Sequence, residues 1–188
     1  MQQARTAWSE SQSGLDIEKL VFLDETWAST TMTRLYGRAP KGLRCIASAP
    51  YGHWDTTTFV AGLRCDRLTA PMVLDGPIDG ESFVAWVEQF LCPTLRPGDI
   101  VILDNLGSHK VKGVQTAVEA AGATVRYLPP YSPDFNPIEK LFSKLKSLLR
   151  KTAKRTPQAL WDEIGELLET ISPKECTNYF ASSGYVRN

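Results

Sequence analysis

The sequence predicts an α/β domain in which a mixed central sheet is flanked by helices. Short apolar runs follow one another early in the chain, and later runs alternate with segments of helical periodicity. The 188 residues are 43% hydrophobic and 22% charged, which is enough apolar sequence for one sizeable core. These two observations favour one compact layered domain over a disordered chain.

The strands are predicted from apolar runs that end in acidic or turn residues. The first run leads straight into an acid, and later runs are rich in β-branched residues. In chain order the predicted strands are 20–27, a hairpin of 43–50 with 56–64 around a turn at Gly52, and then 70–75, 99–105 and 124–129.

The helices are predicted where apolar residues recur on one face. One begins near Glu81 and stops at Pro93, because proline cannot continue a helix. A second precedes Gly122, a common residue just after a helix end. A third has Asn136 as its N-cap and Pro137 as its first residue, and the chain beyond it reads as helical.

Composition and charge exclude several classes of protein. The 21 basic and 21 acidic residues cancel, so a nucleic-acid partner must be argued from local patches. The four cysteines lie far apart without a C-x-x-C pair, which argues against a zinc site or disulfide framework and for reduced, mostly core residues. No signal-like or membrane-spanning apolar segment occurs, so no membrane partner is expected. Residues 1–19 are polar and are predicted to be a linker or tail before a domain of 20–188.

Two aspartates come directly after apolar runs, Asp24 in the first predicted strand and Asp104 in a later one. A buried carboxylate is costly without a cation, hydrogen-bond donors or solvent, so each side chain needs one of these. A turn role explains Asp104 equally well, because aspartate is a common turn residue. Asp75 precedes Gly76 and Pro77 and is assigned to a turn.

Glu139 would be the third residue of the predicted helix that starts after Asn136. Capping alone could explain it, because a glutamate there favours the helix dipole. The segment 136–155 holds seven basic residues against this one acid, which is typical either of a solvated face or of a surface for phosphates. If Glu139 meets Asp24 and Asp104, their repulsion calls for divalent ions. The candidate DNA-binding residues are Lys140, Lys144, Lys146, Arg150 and Lys151.

Three strings carry a family resemblance: LDETW, LDNLGSHK and YLPPYSPDFNPIE. They are similar to the catalytic domain of DDE transposases of bacterial insertion sequences, in the branch related to the mariner superfamily. The spacing also fits, because 34 residues, 105 to 138, lie between the second aspartate and the glutamate. The resemblance runs through nearly the whole chain and is therefore far more specific than three scattered acids.

The resemblance implies a ribonuclease H-like fold in which Asp24, Asp104 and Glu139 are the catalytic, metal-binding triad. Two Mg²⁺ ions, with Mn²⁺ as a substitute, would support phosphodiester hydrolysis at transposon ends and transfer of the 3′-hydroxyl into target DNA. The implied partners are double-stranded terminal inverted repeats, target DNA and a second copy of the chain in the active complex. The implied location is the bacterial cytoplasm.

Three residues near the triad are candidate supporting groups: Glu25, Asn105 and His109. Strand alternation places Glu25 on the sheet face opposite Asp24, which favours a structural or helper role over metal binding. His109 is predicted at the start of a helix, where the dipole disfavours a charged imidazole. A neutral ring that supports the site, contacts DNA or simply packs is expected.

Family members place helix-turn-helix modules ahead of the catalytic domain, and this sequence is expected to lack them because only about twenty residues precede the first strand. A split reading frame, a truncated chain and a degenerate copy all explain that departure. Two other functions stay open: a metal-dependent nuclease or resolvase that does not transpose, and a catalytically silent DNA-binding fragment.

Overall fold

The computed structural model describes residues 2–186, which form a five-stranded sheet with helices on both faces. The strands are β1 (Leu20–Ser29), β2 (Thr56–Leu63), β3 (Leu68–Asp75), β4 (Ile100–Leu103) and β5 (Thr124–Tyr127). The α-helices are α1 (Gln2–Gln12), α2 (Gly80–Trp86), α3 (Lys112–Ala120), α4 (Pro137–Thr152), α5 (Pro157–Glu169) and α6 (Pro173–Ser182).

The sheet is mixed, with the strand order β3-β2-β1-β4-β5. β1 pairs with β2 in antiparallel fashion and with β4 in parallel fashion, so β1 is the central strand. β2 and β3 are antiparallel, whereas β4 and β5 are parallel and are joined through α3. The predicted mixed sheet flanked by helices is confirmed.

Both faces of the sheet are buried, and β1 contributes alternate side chains to each. Leu20 and Phe22 belong to the core that also contains buried residues of α1, α4, α5 and α6. Val21 and Leu23 belong to the core on the other face, under α2 and α3. The alternation follows from the two-residue period of a strand and explains why this run is apolar throughout.

The predicted hairpin of 43–50 with 56–64 is wrong. Residues 43–50 form no strand, and β2 pairs with β1 and β3 instead. Leu43 is 68% exposed and Ile46 is 87% exposed, so this stretch has no buried face to fix it in the sheet. β1 is ten residues long and mostly buried, and it pairs with β2 along its length instead.

Residues 2–19 are not a tail, because α1 packs against the domain. Trp8 is 6% exposed, and its indole Nε1 donates to the Tyr185 hydroxyl at 2.9 Å. Gln12 donates to the carbonyl of Ser183 at 2.9 Å. One buried indole and a buried glutamine anchor this mostly polar helix, which apolar periodicity could not reveal.

Two further expectations concern the burial of the cysteines and the absence of a membrane-spanning segment. Cys176 is buried in one core, and half-buried Cys65 and Cys92 pack against the two cores, so the expectation of mostly core cysteines holds for all but the exposed Cys45. In the described part of the chain, every helix is too short or too polar to cross a membrane.

Candidate active site

Asp24 and Asp104 lie side by side at the carboxyl ends of two neighbouring parallel strands. Phe22 of β1 pairs with Ile102 of β4, and each aspartate lies two residues further along its strand direction. The N-terminus of α4 reaches the same edge, because Asn136 bonds to the side chain of Asp24. The sheet register therefore brings together acids that are far apart in sequence.

Asp24 is a buried carboxylate, 5% exposed. Its Oδ1 accepts from the Glu25 backbone N–H at 2.9 Å, and its Oδ2 accepts from Asn136 Nδ2 at 2.9 Å. Burial raises the pKa of Asp24 well above its usual value, and the negative charges of Glu139, Asp104 and Glu25 raise it further. The site thus concentrates negative charge that positive charge would stabilise.

Asp104 is fixed through one of its two oxygens. Oδ1 accepts from the Leu106 backbone N–H at 2.9 Å and from His109 Nδ1 at 2.6 Å. Burial acts to raise the pKa of Asp104, but the hydrogen bonds from His109 and Leu106 outweigh it, so the pKa is lowered. Asp104 is therefore a carboxylate at neutral pH.

His109 links Asp104 to Glu25. Its Nε2 lies 2.7 Å from Glu25 Oε2, so each ring nitrogen faces a carboxylate. The ring is fully buried and tilts against Phe83, with the ring centroids 4.6 Å apart. Burial acts to lower the pKa of His109, but the two carboxylates raise it from 6.5 to about 9. Both ring N–H groups then donate.

The sequence predicts a neutral His109, and this prediction is wrong because each ring nitrogen faces a carboxylate. The residue lies in a short turn, 108–110, ahead of α3 rather than in the helix, and two carboxylates outweigh any effect of the helix dipole. A fully buried ring also has no surface for DNA in this structure. Glu25 lies on the face opposite Asp24, as strand alternation predicts, and there it meets His109.

Glu139 occupies the first turn of α4, as the sequence predicts, and its side chain is partly covered but still reaches solvent. Partial burial raises the pKa of Glu139, Lys146 opposes that rise, and Asp104 adds to it. Lys146 lies two turns along the helix, with its Nζ 4.7 Å from the centre of the Trp27 ring. Partial burial lowers the pKa of Lys146, and Glu139 acts in the opposite direction.

Two asparagines support the acids: Asn105 is predicted as a supporting group from the sequence, whereas the contact of Asn136 with Asp24 is not. Asn136 is the N-cap residue of α4, but its side chain makes no capping bond and is turned to Asp24 instead. Asn105 donates from Nδ2 to the carbonyl of Leu128 and so ties the Asp104 loop to the end of β5. The N-P-I-E string is typical of an ordinary helix start. Nothing in the local sequence indicates that the Asn136 side chain bonds to Asp24.

A cavity of about 390 Å³ opens beside the acids. Asp104, Asn136 and Glu139 lie in its wall, and 128–133 forms much of the rest. The cavity is therefore polar on the side of the carboxylates and largely apolar on the other.

The acids as they stand do not form a closed metal cage. Among residues 2–186, no group of three His, Cys, Asp or Glu side chains is arranged to hold a metal ion. The donor set nevertheless fits Mg²⁺ or Mn²⁺, because it consists of carboxylate and amide oxygens and includes a buried Asn136 Oδ1 without a hydrogen bond.

The five basic residues of the candidate DNA-binding surface fall into two groups with different contacts. Lys140 and Lys144 donate to α6 and to the residue after it, at distances of 2.6–2.8 Å. Lys146 lies beside Glu139, and Arg150 and Lys151 line a groove with residues of 34–36. Only the second group extends from the acids along the helix.

Comparison with known proteins supports the family. The family model for the DDE superfamily endonuclease matches residues 19–160. Comparison with curated proteins gave no match.

Solved structures of Mos1 transposase share the fold at low sequence identity. The Mos1 paired-end complex with the left transposon end matches with a TM-score of 0.76 at 14% identity, covering 97% of this chain and 57% of that one. The mariner Mos1 paired-end complex with Mg matches at 0.80 and 15%, covering 97% and 57%. The Mos1 catalytic domain matches at 0.67 and 14%, covering 97% and 85%.

These matches confirm the ribonuclease H-like fold, and the chain spans 57% of the first of these Mos1 chains. At identities of 14–15%, these matches show a shared fold and nothing more. Membership rests on the family model, whose match covers most of the sequence. The chain belongs to the DDE superfamily endonuclease family.

Proposed function

We propose that this chain is the catalytic part of a transposase that hydrolyses a phosphodiester at transposon ends and transfers the freed 3′-hydroxyl into target DNA. We also propose a bacterial insertion sequence as its source. The observation that carries the proposal is the meeting of Asp24, Asp104 and Glu139 at one sheet edge, at the head of a basic helix. Family membership and the likeness to Mos1 support it.

Asp24, Asp104 and Glu139 are proposed to hold two Mg²⁺ or Mn²⁺ ions. Mos1 has been solved with Mg and with Mn, which supports divalent ions as the cofactor. When bound, such ions lower the pKa of an attacking oxygen and stabilise charge on the phosphate and the leaving oxygen. Asp104 is suited to the task because His109 and Leu106 hold its Oδ1 and leave Oδ2 to face a ligand.

The chemistry proposed for the site is two successive displacements at phosphorus. In the first, a water oxygen bonds to the phosphorus, the bond to the 3′-oxygen breaks, and that oxygen takes a proton to become a hydroxyl. In the second, this 3′-hydroxyl loses its proton and its oxygen bonds to a target phosphorus, the bond from that phosphorus to the target strand's own 3′-oxygen breaks, and the released oxygen takes a proton to become a hydroxyl. The chain's residues orient both oxygens, and no covalent bond between protein and DNA is required.

Lys146 and Arg150 are proposed to hold the DNA backbone near the reacting phosphate, because they continue from Glu139 along α4. We expect Lys146→Gln with Arg150→Gln to weaken DNA binding at low salt. The slope of log K against log salt should become shallower by about two, because each lost phosphate contact removes about 0.9 from it. Fluorescence anisotropy with one duplex at several salt concentrations measures the slope.

The matched control is Lys140→Gln with Lys144→Gln, which removes the same charge from the same helix. Lys140 bonds to the last residue of α6 and Lys144 to Glu175 in its first turn, so these two lysines are expected to leave the slope nearly unchanged. If the variant with Lys146→Gln and Arg150→Gln has the same slope as the wild type, these residues do not contact phosphates. The basic face of α4 would then be an ordinary solvated surface.

The proposed function is tested with a duplex that carries a pre-cleaved transposon end. The purified chain is incubated with this duplex and a plasmid in Mg²⁺ or Mn²⁺, and the joined product is measured. Joining supports a transposase, and Asp104→Asn should abolish it. Plasmid hydrolysis without joining would identify a nuclease or resolvase, and metal-independent DNA binding without either reaction would identify a silent fragment.

The proposal also includes two partners, a second copy of the chain and a separate module that reads the DNA sequence. Two transposon ends must meet in transposition, and Mos1 has been solved as a paired-end complex, so a homodimer is proposed for the active state. Recognition of the inverted repeats is proposed to come from a separate helix-turn-helix reader, because phosphate contacts by α4 hold DNA without reading its sequence.

A further inference from the structure

Asn136 has a side-chain arrangement that helix capping does not explain. An asparagine at an N-cap normally accepts a hydrogen bond from a backbone N–H of the first turn. Asn136 makes no such bond, whereas the next two helices have the usual caps. Thr156 accepts from the N–H of Ala159 at 3.3 Å, and Ser172 accepts from that of Glu175 at 3.3 Å. α4 thus lacks a stabilising contact that α5 and α6 keep.

The amide of Asn136 is turned to Asp24 instead. Its Nδ2 donates to Oδ2 of Asp24 at 2.9 Å, and the residue is 2% exposed. The orientation of the amide follows from chemistry, because a carboxylate accepts hydrogen bonds and would repel Oδ1. Oδ1 of Asn136 is consequently buried without a hydrogen-bond partner among the described residues. A buried polar oxygen without a partner destabilises the fold.

Asn136 belongs to the acid site itself. Asn136 lies in the wall of the same cavity as Asp104 and Glu139, and its own amide bonds to Asp24. Amide and carboxylate oxygens are the ligands that Mg²⁺ and Mn²⁺ prefer. An ion among these acids would supply the partner that the amide oxygen lacks.

We infer that Asn136 is a further residue of the divalent-ion site. Its Nδ2 positions the carboxylate of Asp24, and its Oδ1 is an additional oxygen ligand of the ion. The inference rests on the proposed function, because it assumes that Asp24, Asp104 and Glu139 bind the ion. It also explains why α4 begins with an uncapped asparagine.

The test measures Mn²⁺ binding by calorimetry and the melting temperature without metal, on the whole chain. Asn136→Ser retains a good N-cap residue but has no amide. We expect its Mn²⁺ affinity to fall about tenfold or more, as for residues that orient metal ligands. Its metal-free melting temperature should stay close to that of the wild type, because serine can cap the helix and leaves no amide oxygen unpaired, which offsets the lost hydrogen bond to Asp24.

Two further variants separate the roles. Ser172→Ala removes an ordinary cap, so it should lower the metal-free melting temperature by about 2–4 °C and leave Mn²⁺ affinity unchanged. Asn136→Asp keeps an oxygen ligand but loses the donor to Asp24. It should bind Mn²⁺ more tightly than Asn136→Ser does, while melting below the wild type without metal because it adds a buried negative charge.

Wild-type Mn²⁺ affinity in Asn136→Ser would overturn the inference. Failure of the acid site itself has a different signature: the wild type would bind no Mn²⁺, or Asp104→Asn would bind it equally well. These outcomes distinguish the inference from the function on which it rests.

Discussion

Asp24→Asn, Asp104→Asn and Glu139→Gln should each reduce metal-dependent DNA cleavage by about a hundredfold or more. A bound ion contributes several kcal/mol of transition-state stabilisation, and about 1.4 kcal/mol corresponds to a factor of ten in rate. Each substitution keeps the size of the side chain and removes the charge that the ions require. Plasmid nicking in Mg²⁺ and Mn²⁺, with folding checked by circular dichroism, measures the effect. Activity within a few fold of the wild type would remove that residue from the triad.

The same substitutions should separate activity from stability. Asp24 is buried among three other acids and its pKa is raised, so its ionisation destabilises the metal-free fold as pH rises. At pH 7 Asp24→Asn should therefore melt at a higher temperature than the wild type without metal, although it no longer cleaves DNA. A lower melting temperature would show that the hydrogen bonds of Asp24 outweigh the repulsion around it.

Much of the fold and the positions of the acids could be predicted from the sequence. Apolar runs that lead straight into Asp24 and Asp104 indicated buried strands with acids near their ends. Parallel pairing then places the two acids at one edge, which follows from the register of β1 and β4. The helix start before Glu139 was visible in its proline and its apolar stripe.

The contacts around the acids could not be predicted, because they depend on the sheet register and on side-chain rotation. Asn136 reads as a cap in any helix-start pattern, and only the position of Asp24 beside it turns the amide away. His109 reads as the start of a helix, and only the fold brings Glu25 from 84 residues away to its second nitrogen. The packing of α1 depends on Trp8 and on polar contacts such as that of Gln12, none of which carries a periodic apolar signal.

His109→Ala should lower the cleavage rate by about 10–100-fold, the range found when residues that orient metal ligands are removed. His109 donates to Oδ1 of Asp104 at 2.6 Å and to Glu25 at 2.7 Å, so its loss frees Asp104 to rotate. Two partly buried carboxylates would also lose their shared partner. We therefore expect weaker Mn²⁺ binding, measured by calorimetry, together with slower cleavage at saturating DNA.

A loss of packing alone must be separated from this positioning role, because His109 is fully buried against Phe83. Val114→Ala provides the control, since Val114 is fully buried in the core on the same face of the sheet as Phe83. It should lower the melting temperature while cleavage and Mn²⁺ affinity, measured well below that temperature, stay near the wild type. Tighter Mn²⁺ binding in His109→Ala would mean that the imidazole competes with the ion for Asp104, because positioning by His109 requires the opposite change.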